Sequence, residues 1–377
     1  MDYESLLKHC RTEAQREAVE AVIECGDFSK ASRKLGKHRT TISDTVALVQ
    51  SYSKEGPNPF GLHDESVLYS VKDGEYSEKL AWVKRKKSRE EVLESVEKII
   101  ESLKIPKFKP VKTPRPLTDD MMNVYVFGDP HIDMLSWEDE TGQNWDLDIA
   151  IHNHMSAIID MVDRSPKCDT GVLATLGDLF HRDSLKALTP GSGNIVDIDG
   201  RLGRSWDRGV ELIRAMIDRM LKKYQKVIYA CIRGNHSETL ELVLSRAIRI
   251  AYENNDRVEI LDNTSKDMPL TFGKNFLLFV HGDNLNIQKK AGIVTAKYRA
   301  RHGNAVFSHV ISGHLHHKEA KEYNGAYVEI FPVLCPPDAW HNGSGYVTSM
   351  QEASVLTYHK MGGIINRTQT NPIIFLK

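Results

Sequence analysis

Asp178 stands at the end of an apolar run, in residues 173–183, Leu-Ala-Thr-Leu-Gly-Asp-Leu-Phe-His-Arg-Asp. An apolar run ending in glycine and aspartate is how a buried strand delivers one carboxylate to the edge of a sheet. A carboxylate has two oxygens and can touch two cations at once, so Asp178 reads as a bridge between two metal ions. Four other stretches repeat the plan. Residues 123–131 end in Gly128-Asp129-Pro130-His131, and residues 227–236 end in Gly234-Asn235-His236. Residues 276–283 end in His281-Gly282-Asp283, and residues 310–317 in Gly313-His314-Leu315-His316-His317. One Gly-Asp after a strand is an ordinary turn. Five strands that each end in Gly, His, Asp or Asn are a ligand set.

The elements needed to position these residues are legible around them. From about residue 117 the chain alternates strands with amphipathic helices, over 148–162, 206–221 and 240–251. That alternation predicts an α/β fold of two sheets flanked by helices. Residues 184–205 are a Gly- and Ser-containing insertion directly after Asp178, placed to form a rim of the site. Asp197, Asp199, Arg201 and Arg204 are its candidates for substrate contact, or else they brace the loop. His152, His154, His309, His317, His341 and His359 are read as surface or core residues.

The ordered set Asp129-x-His131, Gly177-Asp178, Gly234-Asn235-His236, His281 and Gly313-His314-Leu315-His316 resembles the calcineurin-like metallophosphoesterases. Within that family Gly177-Asp178-Leu179-Phe180-His181 looks most like the SbcD-type DNA-repair nucleases. The protein-phosphatase branch carries Asp-Arg-Gly where this chain has His181-Arg182-Asp183, so a phosphoprotein substrate is not expected. The resemblance implies a calcineurin-like β-sandwich and a first metal held by Asp129, His131, Asp178 and His316. It implies a second metal held by Asp178, Asn235, His281 and His314. Imidazole suits first-row transition metals and oxygen ligands suit Mn²⁺ or Mg²⁺; Mn²⁺ is the expected ion, with Mg²⁺, Fe²⁺ and Zn²⁺ as alternatives. By the same resemblance His236 is catalytic, donating a proton to the leaving oxygen or holding the phosphate in line, and His181 is a second candidate. Ser237 stands where family members carry an acid.

The first part of the chain reads differently. Thr12 caps a helix to about Ile23, with Ala14, Ala18, Ala21 and Val22 on one side. Residues 31–43 follow as a small residue, an apolar residue before Gly36, a short turn and a second apolar helix. That pattern resembles the helix-turn-helix of bacterial regulators and resolvases, in which Arg39, Thr40, Thr41 and Ser43 would face DNA. A helical docking module has the same pattern. A hairpin is expected from Val67 to Val83 about Asp73-Gly74, then a helix from Ser88 with Glu91 completing a capping box. Residues 104–115 carry five basic residues, no acid and several prolines, as an extended tether. The expected domains are therefore 1–55, a helix-turn-helix domain, 56–118, an accessory region, and 119–377, the metallophosphoesterase domain. A helix-turn-helix joined to a phosphoesterase also resembles bacteriophage proteins.

Composition bounds the rest. The 377 residues are 41% hydrophobic and 27% charged, ordinary values for a globular chain with ample core. The net charge of -1 gives no global field for nucleic acid, so targeting to DNA would rest on local basic clusters. The five cysteines include no Cys-x-x-Cys pair, which points to reduced thiols in a cytoplasm, bacterial or of a phage-infected host. No signal peptide or membrane-spanning run is evident. The reading is a dinuclear metal-dependent phosphodiesterase acting on DNA, with no membrane partner and a homo-oligomer possible. The alternatives are a phosphodiesterase of small or cyclic nucleotides and a DNA-binding regulator with an inactive metal domain.

Overall fold

The computed structural model describes residues 4–10, 12–54, 66–72, 75–82, 111–262, 264–347 and 350–371. The chain forms two compact units, Met1–Leu103 and Lys104–Lys377. In the first, a 3₁₀ turn (Glu4–His9) precedes helices α1 (Glu13–Cys25), α2 (Phe28–Leu35) and α3 (Arg39–Lys54). Thr12 opens α1 with a capping box: its Oγ1 accepts from Gln15 N–H, and its own N–H donates to Gln15 Oε1, both at 3.2 Å. Gly26 and Gly36 end α1 and α2 in the left-handed conformation. Ala31 is fully buried, so α2 packs closely against a core of Val19, Val22, Ile42, Val46 and Val49. The buried face of α1 differs from the expected one by a residue. Ala14 is exposed and Gln15 buried, because the Gln15 side chain turns back onto Thr12.

Strands β1 (Ser66–Lys72) and β2 (Glu75–Trp82) pair antiparallel with Lys72 opposite Glu75, as the hairpin reading requires. The turn residues Asp73 and Gly74, the helix expected from Ser88 and residues 104–110 lie outside the described residues.

The second unit is the expected mixed α/β sandwich. One sheet has six strands in the order β13-β12-β3-β4-β5-β6, and the other has five in the order β10-β11-β9-β8-β7. In the first sheet, β3 (Met121–Phe127), β4 (Thr170–Thr175), β5 (Lys226–Cys231) and β6 (Val258–Ile260) run parallel. The hairpin β12 (Ala353–His359) and β13 (Gly363–Thr370) adds antiparallel to β3. In the second sheet, β8 (Asn275–Val280), β9 (Phe307–Ser312) and β11 (Ala326–Ile330) are parallel, edged by β7 (Asp267–Phe272) and β10 (Glu319–Tyr323).

Strand side chains alternate between two apolar layers, which is why the central strands read as unbroken hydrophobic runs. Met122, Val124 and Val126 of β3 meet Leu277, Phe279 and Ile311 between the sheets. Tyr125 and Phe127 face the other way, toward helices α4 (Leu147–Arg164), α5 (Leu202–Leu221) and α6 (Glu238–Ala251). On the far side of the second sheet, α7 (Ile287–Ala296) packs Ala291 and Val294 on Leu278 and Val310. All three amphipathic helices expected in this part of the chain are present. The five cysteines are free, and no helix among the described residues is long and apolar enough to cross a membrane.

His154 on α4 is a core histidine. Its Nδ1–H donates to the Ala150 carbonyl (2.7 Å), and its ring lies against Phe127 and Trp145. Burial lowers its pKa to about 4, partly opposed by the Ala150 bond. In the unfolded chain it titrates near about 6.5. As pH falls between those values the unfolded state takes up the proton first, so stability is lost as pH drops toward about 4 and changes no further below it. The wild type should therefore lose up to about 3 kcal/mol more than His154→Phe between about pH 7 and about pH 4, measured by urea unfolding. Equal losses in the two proteins would contradict this reading.

Candidate metal centre

The parallel strands of both sheets end at one edge, and the loops leaving those ends carry every residue of the expected ligand set. Asp129 and His131 follow β3, Asp178 follows β4, and Asn235 and His236 follow β5. His281 follows β8, and His314 and His316 follow β9. The crevice beyond the carboxyl ends of parallel strands is where α/β sheets bind ligands. The sheets are joined there by the site residues themselves: His281 Nδ1–H donates to the Leu176 carbonyl (2.9 Å), and His314 N–H donates to both Asp129 oxygens (3.0 Å each).

The backbone at this edge is strained. Six non-glycine residues among those described have positive φ, and four of them are His131 (38°), Asp178 (52°), His314 (76°) and His316 (53°). Each such residue costs on the order of 1–3 kcal/mol, and persists where its surroundings over-determine it, typically at functional sites. Two glycines make the close approach possible. A Cβ on Gly234 would overlap the Asp178 carboxylate, and one on Gly313 would overlap the Asp129 carboxylate.

The side chains form two groups whose ligand atoms lie within 4.8 Å of one another: Asp129, His131 and His316, and Asp129, Asp178, His281 and His314. Asp129 is common to both, whereas Asp178, read from sequence as the bridge, belongs to the second alone. Asn235 joins the second, with Oδ1 at 2.8 Å from His281 Nε2, which also lies 3.1 Å from Asp178 Oδ2. In the first group His316 Nε2 is 3.1 Å from Asp129 Oδ2 and 3.4 Å from His131 Nε2.

This donor set fits divalent cations. Because His281 Nδ1 gives its proton to Leu176, a neutral His281 turns a lone pair toward Asn235 Oδ1 and Asp178 Oδ2. Three acceptors at these distances need a positive charge among them. Without an ion, the imidazole itself must supply it. Burial pulls His281 down, but Asp178 and Asp129 outweigh burial and raise its pKa to about 10. Reciprocally, burial pushes the Asp178 and Asp129 carboxyls up, and His281 with the other neighbouring donors brings both below the usual range. His131 is driven the other way: burial first, then the adjacent His181 and His236, hold it well below its ordinary value, the neutral state a metal ligand needs.

The loop after Asp178 is engaged residue by residue. His181 is buried, with Nδ1 on His131 Nδ1 (2.9 Å) and Nε2 toward Asp338 (3.6 Å). Arg182 pairs with buried Asp133 (3.3 Å), and Asp183 accepts from Thr239 and Leu240 N–H at the start of α6. His236 is half-buried: its N–H donates to Asp178 Oδ1 (2.7 Å), and its Nδ1 faces the His181 carbonyl (3.1 Å). His131, His181 and His236 make a third cluster of ring nitrogens.

In the insertion, Arg204 reaches Asp148 (2.9 Å) and Asp199 (3.8 Å), a bracing arrangement, and Asp199 also accepts from Leu147 N–H. Arg201 is exposed at the start of α5, and Asp197 offers its carbonyl to Leu135. Arg39, Thr40 and Thr41 are exposed on the first turn of α3 and Ser43 is half-buried.

Two residues important to this geometry, Glu241 and Asp338, were not singled out from sequence. Glu241, fully buried on α6, accepts from Leu179 N–H (2.7 Å) and Gly234 N–H (2.6 Å), clamping the loops that carry Asp178 and Asn235. Ser237, noted from sequence as standing where the resembled family carries an acid, is buried and accepts from Phe180 N–H (3.2 Å). Glu241 lies one helical turn after it, on α6. Its signal was a lone charge inside the apolar run 240–244. Asp338 accepts from His341 N–H and Nδ1–H (2.7 Å each), and the His341 ring stacks on His316 at 5.1 Å. His341 is therefore part of the site's wall rather than a bystander. No local pattern marks either residue, because both belong to the short helical turn and its cap in the connection after β11. His309 does pack in the core, against Tyr358 and Glu329, and His317 is exposed.

Among solved structures, the chain is similar to a conserved uncharacterized protein from Streptococcus pneumoniae TIGR4 described as a predicted phosphoesterase. That match has 12% identity and a TM-score of 0.26, covering 66% of this chain and 97% of that one. It is similar to an archaeal phosphodiesterase at 15% identity and a TM-score of 0.33, covering 66% and 99%. It is also similar to wild-type Vps29 from Entamoeba histolytica complexed with Zn²⁺, at 13% identity and a TM-score of 0.27, covering 67% and 99%. At these TM-scores the likenesses say nothing about the site. No family model matches the sequence, and no curated protein matches it.

Asp178→Ala removes a carboxylate from the second group and the acceptor that orients His236. Its metal content, by elemental analysis after Mn²⁺ loading and desalting, should fall from two ions per chain to one or none. A variant that keeps two would contradict a bridging role.

Proposed function

We propose that the second unit is a dinuclear metal-dependent phosphodiesterase that hydrolyses DNA, and that the helices of the first unit are a helix-turn-helix that holds the duplex. The observation that carries the reading is the convergence of acceptor atoms from Asp129, His131, Asp178, Asn235, His281, His314 and His316 at one sheet edge. In this reading Asp129, His131, Asp178 and His316 hold one ion, and Asp178, Asn235, His281 and His314 hold the other. Few anionic ligands for two dications leave net positive charge, which favours a phosphodiester and its anionic transition state. When bound, such ions activate water and neutralise phosphate charge, and the mixed N/O ligand set suits Mn²⁺.

The chain's own residues do the remaining work. Asp178 orients His236 through its backbone N–H, and the His181 carbonyl occupies His236 Nδ1. With Nδ1–H given to that carbonyl, Nε2 gives a proton to the leaving oxygen from the imidazolium form of the ring, which reverts to the neutral imidazole with its lone pair on Nε2. His181 is a positioning residue here: buried between His131 and Asp338, it fixes the His131 ring by its Nδ1 contact. Glu241 holds the Asp178 and Asn235 loops at their fixed distance. For the first unit, support comes from exposed Arg39, Thr40 and Thr41 on the first turn of α3, after the tight turn at Gly36. Free cysteines agree with a reducing cytoplasm.

The test is purified full-length protein with Mn²⁺ on labelled single- and double-stranded DNA beside cyclic dinucleotides. DNA should be cleaved. His236→Ala should lose about 10²–10⁴-fold in turnover while keeping its metal. Cleavage of cyclic dinucleotides alone would replace DNA as the substrate, and no hydrolysis with two ions bound would end the enzymatic reading. With metal withheld, Arg39→Ala should flatten the dependence of log duplex affinity on log salt by about 0.9. An unchanged slope would remove Arg39 from the DNA contact.

A further inference from the structure

Beside the metal centre lies a set of exposed rings that the hydrolytic chemistry leaves unused. After β11, a helical turn at Ala339–Gly343 carries Trp340 and His341. Tyr346 N–H donates to the His341 carbonyl (2.9 Å), folding the chain back so that the Tyr346 ring stacks beside Trp340. Their centroids are 6.2 Å apart and their planes differ by 23°. Yet Trp340 is 61% exposed and Tyr346 60% exposed. Large aromatic rings bury well in cores and interfaces, so an ordered pair left in water at a site's rim is an informative exception.

The pair is tied to the site. His341 lies edge-on to Trp340 at 4.9 Å and stacks on His316 at 5.1 Å, so two ring contacts connect the shelf to a candidate ligand. The segment is also held in place. Asp338 bonds His341 and reaches toward His181. Ser136 Oγ–H donates to the Pro337 carbonyl (3.0 Å), and Asn342 Nδ2–H donates to the Glu140 carbonyl (2.8 Å). A shelf positioned by its own chain needs no ordering when something settles on it.

Stacking is the chemistry such a shelf offers next to a phosphodiester. Every nucleobase has a π-face, and aromatic side chains take successive bases without regard to sequence. In a duplex those faces are covered by neighbouring pairs; in a single strand they are free. We propose that Trp340 and Tyr346 form a base-stacking shelf that holds an unpaired nucleobase next to the scissile phosphodiester, so that the metal centre acts on single-stranded nucleic acid. This rests on the phosphodiesterase reading above and narrows its substrate.

The experiment compares two single-stranded oligonucleotides of equal length and phosphate number, one bearing bases and one abasic throughout. Full-length protein is titrated with each by fluorescence anisotropy with metal withheld, and hydrolysis is then followed with Mn²⁺. The base-bearing strand should bind on the order of tenfold tighter per stacked base. Trp340→Ala and Tyr346→Ala should lower its affinity toward the abasic level and leave abasic binding unchanged, while Trp340→Phe keeps most of the preference. Equal affinity of the wild type for both strands, or equal losses on both strands in the variants, would overturn the shelf. Discrimination between strands without hydrolysis of either, in protein holding two ions, would sink the phosphodiesterase reading and leave the shelf standing. Hydrolysis of both strands with no discrimination would do the reverse.

Discussion

Two buried carboxylates, Asp129 and Asp178, belong to one group whose ligand atoms lie within 4.8 Å of one another. Like charges at that separation repel by on the order of 3 kcal/mol even at an effective dielectric constant near 20. The backbone N–H groups of His236 and His314 answer part of that charge, and the other close neighbours are imidazoles and the Asn235 amide oxygen. The arrangement is stable only with positive charge inside it, which either a protonated His281 or a cation provides. The rest of the second unit can be understood as the means of holding this unfavourable cluster in place.

The holding is done from behind. Parallel strands of two sheets bring five loops to one edge, and bonds between the site residues lock the sheets together there. Glu241 clamps two loops through backbone N–H groups, and Gly234 and Gly313 allow backbone to press directly on the carboxylates. Four residues accept left-handed backbone in consequence. Burial of the apolar layers on both faces of the first sheet offsets that strain, since each large aliphatic or aromatic side chain contributes roughly 1.5–3 kcal/mol. The ring face of the site is built separately, by the loop after β11 that carries Asp338, Trp340 and His341.

Much of this was legible in the sequence because strands announce themselves locally. Each of the five ligand blocks is an apolar run stopped by glycine or a polar residue, a signal carried by a few adjacent residues. The amphipathic helices over 148–162, 206–221 and 240–251 were legible for the same reason. Glu241 was harder: its charge interrupts an apolar run, but only the fold shows that it points at Asp178's loop. Asp338 and His341 left no trace, because their importance comes from a loop meeting residues far away in the chain. On α1, periodicity alone put Ala14 inward, whereas a hydrogen bond to Thr12 buries Gln15 instead. Arg204 was ambiguous between substrate and loop, and its geometry with Asp148 and Asp199 is that of a brace.

The most direct test is to locate the cations. Crystals of the full-length protein soaked in Mn²⁺ and measured at the manganese absorption edge give the positions of bound ions without reference to activity. The account predicts two anomalous peaks about 3.5–4 Å apart. One should be bordered by Asp129, His131 and His316, the other by Asn235, His281 and His314, with Asp178 between them. No peak, a single peak, or ions confined to the His131–His181–His236 cluster would contradict it.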